Sequence, residues 1–223
     1  YSVVYCVLFT STAARNLVTC LLEGHNFSCV MADLPTDMAH KIVAWGYQHI
    51  EDKDLFVDRD GSKGRETEIH VTCFYGLLDS SPTEELMKVF ETTKPFEIRL
   101  GNASLFEQDD YDVVKLDVVS PELHDLHRRI GMAAPNYETH PIFKPHLTIG
   151  YVKRGCGDHM VGHNPFEHLT KFGMDTSAED GRILIEHAVF SSHSGGKSVI
   201  KLGSRLQSAH DTTPRAKASV KAT

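Results

Sequence analysis

One short pattern occurs twice in this chain, and it constrains the fold more than any other feature. Residues 70–75 read His-Val-Thr-Cys-Phe-Tyr and residues 146–151 read His-Leu-Thr-Ile-Gly-Tyr. Both are H-x-T-x-x-Y, set in apolar runs of the kind that form strands. Side chains alternate along a strand, so a His and a Thr two residues apart share one face. Each copy therefore presents an imidazole beside a hydroxyl. Two such strands facing each other place two His and two Thr around one small site. One imidazole can take a proton, the other can give one, and the hydroxyls can bind phosphate oxygens. That set suits acid–base chemistry on a phosphodiester.

The flanking sequence reads as mixed helix and strand. Residues 28–34 form a buried strand, and Pro35-Thr36-Asp37 opens a helix with Met38, Ile42, Trp45 and His49 on one face. Trp45 is assigned to the core rather than to ligand stacking. The polar loop 58–66 contains Gly and Lys but lacks the phosphate-loop spacing. The first motif strand spans about 69–78, and Ser81-Pro82-Thr83 starts a helix that ends near Thr92. Residues 95–107 and 111–119 are extended. Ser120-Pro121-Glu122 caps a helix that runs to about Ile130 and stops at Gly131. The second motif strand spans about 145–153, and 155–177 is a Gly- and His-rich connection with room for one short helix. Residues 182–192 and 197–202 pair as a terminal hairpin around Ser194-Gly195-Gly196.

The motifs are offset by 146 − 70 = 76 residues, and a helix precedes each, so the halves form a weak internal repeat. The expected architecture is α+β: two pseudo-symmetric lobes, their antiparallel sheets facing a central cleft, with helices outside. Tyr75 and Tyr151 lie five residues past each His. In a regular strand that is the opposite face, which assigns both to core packing.

At 223 residues the chain is one domain with appendages. We place the domain at 28–202, an extra strand or poorly ordered extension at 1–27, and a disordered tail at 203–223. Residues 1–10 are apolar but too short to span a bilayer, and the first Arg, Arg15, follows them. No membrane association is expected. A net charge of −7 and a pI near 6.0 disfavour long nucleic acids, which need a basic track, but leave room for a small anionic ligand. The five Cys are odd in number and lack C-x-x-C spacing, which fits reduced thiols in the cytoplasm. His124 and His127 are three apart on a helix, and Cys156, His159, His163 and His168 share a loop. Neither set has a zinc spacing, so no metal or other cofactor is expected.

The paired motifs resemble the two-histidine (2H) phosphoesterase superfamily with its LigT-like bilobal fold. Within it, segments 60–77, 144–152 and 188–192 look closest to the phage anti-CBASS proteins, which degrade cyclic nucleotide messengers of antiviral signalling such as cGAMP. The resemblance covers about 28–202. It implies that His70, Thr72, His146 and Thr148 are catalytic. Lys144, two before His146, shares the cleft face and is a candidate phosphate contact; the resemblance places Glu186 near a ligand-binding carboxylate. The implied activity is metal-independent hydrolysis of cyclic di- or oligonucleotides, in the host cytosol if the protein is viral. Two alternatives stay open: an RNA 2′,3′-cyclic phosphodiesterase or tRNA-processing enzyme of LigT type, and a module that sequesters a nucleotide without turnover.

Overall fold

The structure is a computed structural model that describes residues 27–59, 61–137, 142–164, 166 and 182–204. The expected N-terminal extension and tail fall almost wholly outside these residues, as do Cys6, Cys20, His168 and most of the 155–177 connection. Within the described residues, the elements run β1 (Ser28–Asp33), α1 (Thr36–His49), β2 (His70–Leu77), α2 (Glu84–Thr92), β3 (Phe96–Glu107), β4 (Tyr111–Val119), α3 (Pro121–Ala133), β5 (His146–Lys153), β6 (Arg182–Ile185), β7 (His187–Ser191) and β8 (Lys197–Lys201). Short 3-10 turns occupy Asp52–Asp54 and Asp158–Met160.

Local chemistry sets the helix starts. The Thr83 hydroxyl accepts from the Leu86 amide at 3.2 Å, and the Ser120 hydroxyl from the Leu123 amide at 3.4 Å, with Pro121 in the first turn. Each helix buries one stripe: Met38, Ile42 and Trp45; Leu86, Val89 and Phe90; Leu123, Leu126 and Ile130. Fully burying one such side chain contributes roughly 1.5–3 kcal/mol. Gly131 does not stop α3, which continues to Ala133. Its lack of a side chain serves packing instead, as described below.

The eight strands form one antiparallel sheet in the order β6-β3-β4-β5-β2-β1-β7-β8. The two expected lobes are its two halves, β6-β3-β4-β5 and β2-β1-β7-β8. They join edge to edge through a single residue pair, Val71 with Leu147, both fully buried. Beyond that pair β2 and β5 splay apart. Residues 64–66 pair along the outer half of β5, and residues 136–137 along that of β2. The expected terminal hairpin is β7–β8, but the stretch before it is split. β6 pairs with β3 and β7 with β1, so the chain crosses from one lobe to the other at Glu186.

A one-residue bulge interrupts each motif strand, three residues after its His. Met31 faces Thr72 while Val30 faces Phe74, which leaves Cys73 unpaired. Lys115 faces Thr148 while Val114 faces Gly150, which leaves Ile149 unpaired. Each bulge turns an extra apolar side chain toward the helix layer, and a helical glycine makes room for it. A Cβ on Gly46 of α1 would lie 2.9 Å from Ile149 Cγ2, and one on Gly131 of α3 would lie 2.9 Å from Phe74 Cε2. Each helix thus packs beneath the motif strand of the other lobe.

Candidate active site

The Val71–Leu147 pair fixes where the motif side chains stand. In an antiparallel ladder the neighbours of a pair advance in opposite directions, which sets His70 across from Thr148 and Thr72 across from His146. All four point to the face opposite the buried Val71 and Leu147. The two H-x-T units thus meet side by side, related by a pseudo-two-fold axis through that pair.

Both imidazoles are held in the same way. Nδ1 of His70 lies 2.6 Å from the Glu68 carbonyl, and Nδ1 of His146 lies 2.7 Å from the Lys144 carbonyl. A carbonyl can only accept, so Nδ1 carries the proton in each ring. That tautomer leaves Nε2 as the exchangeable nitrogen on both sides. The hydroxyls of Thr72 and Thr148 have no hydrogen-bond partner among the described residues and remain available as donors.

A cavity of about 600 Å³ opens beside this face. Thr72, Thr148, His146 and the exposed Lys144 line it, and Phe106, Val113 and Phe143 give it apolar walls. His70, across the strand pair from Thr148, is outside the residues that line it. The volume lies in the range of small-ligand sites.

Tyr75 and Tyr151 also line the cavity, which corrects their assignment to the core. The bulges at Cys73 and Ile149 each add one residue, so the fifth residue after His returns to the His face. Tyr75 is 37% exposed and meets Phe27 edge-on at 5.9 Å. Tyr151 is half-buried beside Tyr111, and burial pushes its hydroxyl up from 10.0. The repeat itself carried the signal: Tyr recurs at the same offset in both copies.

Burial holds His146 below its ordinary value of 6.5, and the Lys115 ammonium and His70 push the same way, against the Lys144 carbonyl and Asp117. Its ring meets Phe106 edge-on at 4.9 Å. Lys115, on β4, is almost fully buried and paired with Asp117 at 2.5 Å. Burial opposes ionisation of Asp117, but the Lys115 and Ser104 donors outweigh it and hold the carboxyl below 3.8.

The remaining candidates separate. Glu186 is exposed at the β6–β7 crossing, outside the residues that line the cavity. Trp45 is buried in the core. His127 stacks on Phe143 at 4.1 Å, and its Nδ1 donates to the Cys73 carbonyl at the bulge. His159 bonds the His49 carbonyl. Among the described residues, no three His, Cys, Asp or Glu side chains group to hold a metal, and no helix is long and apolar enough to cross a membrane. Cys73 is buried, and burial pushes its thiol far above the ordinary value.

The sequence profile of the 2′-5′ RNA ligase superfamily matches residues 56–155, a span that contains both H-x-T motifs. No curated protein sequence matches the chain. Among solved structures, the chain is similar to Usb1 of Kluyveromyces marxianus (TM-score 0.52, 9% identity, covering 80% of this chain and 99% of that one). The same protein with uridine monophosphate gives 0.51 at 10% identity, covering 79% and 99%. Escherichia coli LigT complexed with 3′-AMP gives 0.46 at 14% identity, covering 80% and 95%. The likeness to Usb1 is one of fold. The stretch 56–155, with both motifs, is thus similar to the 2′-5′ RNA ligase superfamily, and the fold around it to that of Usb1.

Proposed function

We propose that this chain is a metal-independent phosphodiesterase that cleaves a small nucleotide substrate by transfer to a ribose 2′-hydroxyl. One observation carries the reading: two symmetry-related imidazoles, each with Nδ1 tied to the carbonyl two residues back, stand cross-strand from two uncommitted Thr hydroxyls that line one cavity. Burial and the Lys115 charge favour neutral His146, which makes it the base. Its Nε2 takes the 2′-hydroxyl proton and O2′ attacks phosphorus. The 5′-oxygen leaves with a proton from Nε2 of His70, and the product ends in a 2′,3′-cyclic phosphate. Water opens that ring with the roles reversed. Thr72 and Thr148 donate to the non-bridging oxygens as charge builds there, and Lys144 draws the anion into the cavity.

The substrate we favour is a cyclic di- or oligonucleotide of the kind used in antiviral signalling. The cavity volume suits it, the net charge of −7 disfavours long RNA, and segments 60–77 and 144–152 resemble enzymes of that class. The runner-up is an RNA-end enzyme acting on 2′,3′-cyclic phosphates, which the superfamily profile favours.

The test is purified protein with EDTA against a panel of cyclic nucleotides, their 2′-deoxy analogues and an RNA ending in 2′,3′-cyclic phosphate, with products read by mass. Linear products from a cyclic nucleotide, and none from its 2′-deoxy analogue, support the reading. Turnover of the RNA alone selects the runner-up. Binding without turnover of any substrate indicates a sequestering module. Activity that requires a divalent ion overturns the metal-independent mechanism.

A further inference from the structure

An ion pair lies on β4, across from Thr148 and His146. Lys115 and Asp117 are two residues apart on β4 and face the same side as Thr148 and His146, their respective cross-strand partners. The Lys115 Nζ donates to Asp117 Oδ1 and to Ser104 Oγ, both at 2.5 Å, and Ser104 Oγ donates to the same carboxylate oxygen at 2.8 Å. The ammonium also sits 4.4 Å from the Phe106 ring centroid. The same ring meets His146 edge-on. An ammonium with only 7% of its side chain exposed is costly to keep in a sheet unless it is paired. A Leu or Met here would continue the apolar run of Val113, Val114 and Leu116 at no such cost.

We infer that the Lys115–Asp117 pair is a positioning device for His146: Lys115 keeps the imidazole uncharged and seated on Phe106, and Asp117 limits how far that bias goes. This rests on the proposed role of His146 as base. The titratable groups around His146 are Lys115 and Asp117 from β4, His70 from β2, and Lys144 two residues before it in the loop that leads into β5. Lys115 and His70 oppose protonation and Asp117 favours it. The ammonium and the carboxylate therefore pull the same ring in opposite directions, and removing one exposes the other.

That opposition gives a test by sign. Lys115→Met leaves Asp117 alone with the ring, so the His146 titration should move up and the acid limb of kcat/KM should move to higher pH. Asp117→Asn leaves the ammonium alone, so both should move down. The double variant should return close to the native profile. The titration is followed by imidazole proton NMR, assigned from the signal lost in His146→Ala, and needs no substrate. A native protein inactive on every substrate would therefore fail the phosphodiesterase reading and still leave this inference testable. Lys115→Met leaves behind only a half-exposed carboxylate that Ser104 still bonds, so it retains the fold even if Asp117→Asn, which strands a buried ammonium, does not, and its upward shift alone decides. Shifts of the same sign in both single variants, or no shift in Lys115→Met, would overturn the inference.

Discussion

Replacing a helical glycine by alanine ordinarily stabilises a protein, because Gly is about 0.8–1.0 kcal/mol worse than Ala in a helix interior. Gly46 and Gly131 should do the opposite. The added methyl would sit 2.9 Å from Ile149 Cγ2 or from Phe74 Cε2. Comfortable carbon contacts lie near ~3.5–4.0 Å, so either neighbour must move by roughly 0.6–1.1 Å. Ile149 is 1% exposed and Phe74 2%, and each belongs to a motif-strand bulge. Such overpacking costs about 1–3 kcal/mol. Against the propensity gain, each Gly→Ala should come out between about zero and 2 kcal/mol less stable. The two sites lie under different motif strands, so the double variant should approach the sum of the singles. Urea titrations followed by circular dichroism measure this directly. A gain near 1 kcal/mol in either variant would show that the bulges do not press on the helices as described.

Other expectations follow from the site and the core. His70→Ala and His146→Ala should each abolish turnover with the far-ultraviolet spectrum unchanged; near-native activity in either would remove the two-imidazole mechanism. Thr72→Val and Thr148→Val keep the β-branched shape and break no hydrogen bond among the described residues. Each should lose roughly 10²–10³ in kcat at unchanged melting temperature, and a loss under threefold would rule out the donor role. Burial and Lys115 disfavour imidazolium at His146, so it stays a competent base as pH falls to below 6.5 and is lost only beneath that. An acid limb of kcat/KM at or above pH 7 would therefore exclude His146 as the base. Leu147→Ala, at the fully buried junction of the lobes, should cost about 2–5 kcal/mol; a loss under 1 kcal/mol would show that the junction is not a packing centre.

The element pattern was readable because caps and periodicity are local. Ser120-Pro121 and Thr83 mark helix starts wherever the chain goes. The shared face of His and Thr within each motif followed from strand alternation alone. What failed was the extension of that alternation through five residues. A bulge is fixed by the partner strand, and nothing in Thr-Cys-Phe-Tyr taken alone shows that Cys73 has no partner. Gly131 read as a helix stop because the ring it makes room for is 57 residues earlier, at Phe74. The split at Glu186 depends on which edge each short strand finds. Lys115 and Asp117 were visible as charges in a β-branched run, but their value lies in Ser104, Phe106 and His146, which only the sheet brings together.

The crossing at Glu186 has a consequence for how the molecule is made. β1 and β2 emerge early from the ribosome, yet the outer edge of β1 is covered only by β7, more than 150 residues later. Until then a nascent chain carries an open strand edge, and its first H-x-T unit lies in an unfinished half-sheet. The halves are therefore laced rather than strung in tandem. The half β6-β3-β4-β5 is contiguous in sequence and inserted within the other, so any cut between the two motifs divides the β2-β1-β7-β8 half between fragments, and the site should assemble in a late event dominated by long-range contacts.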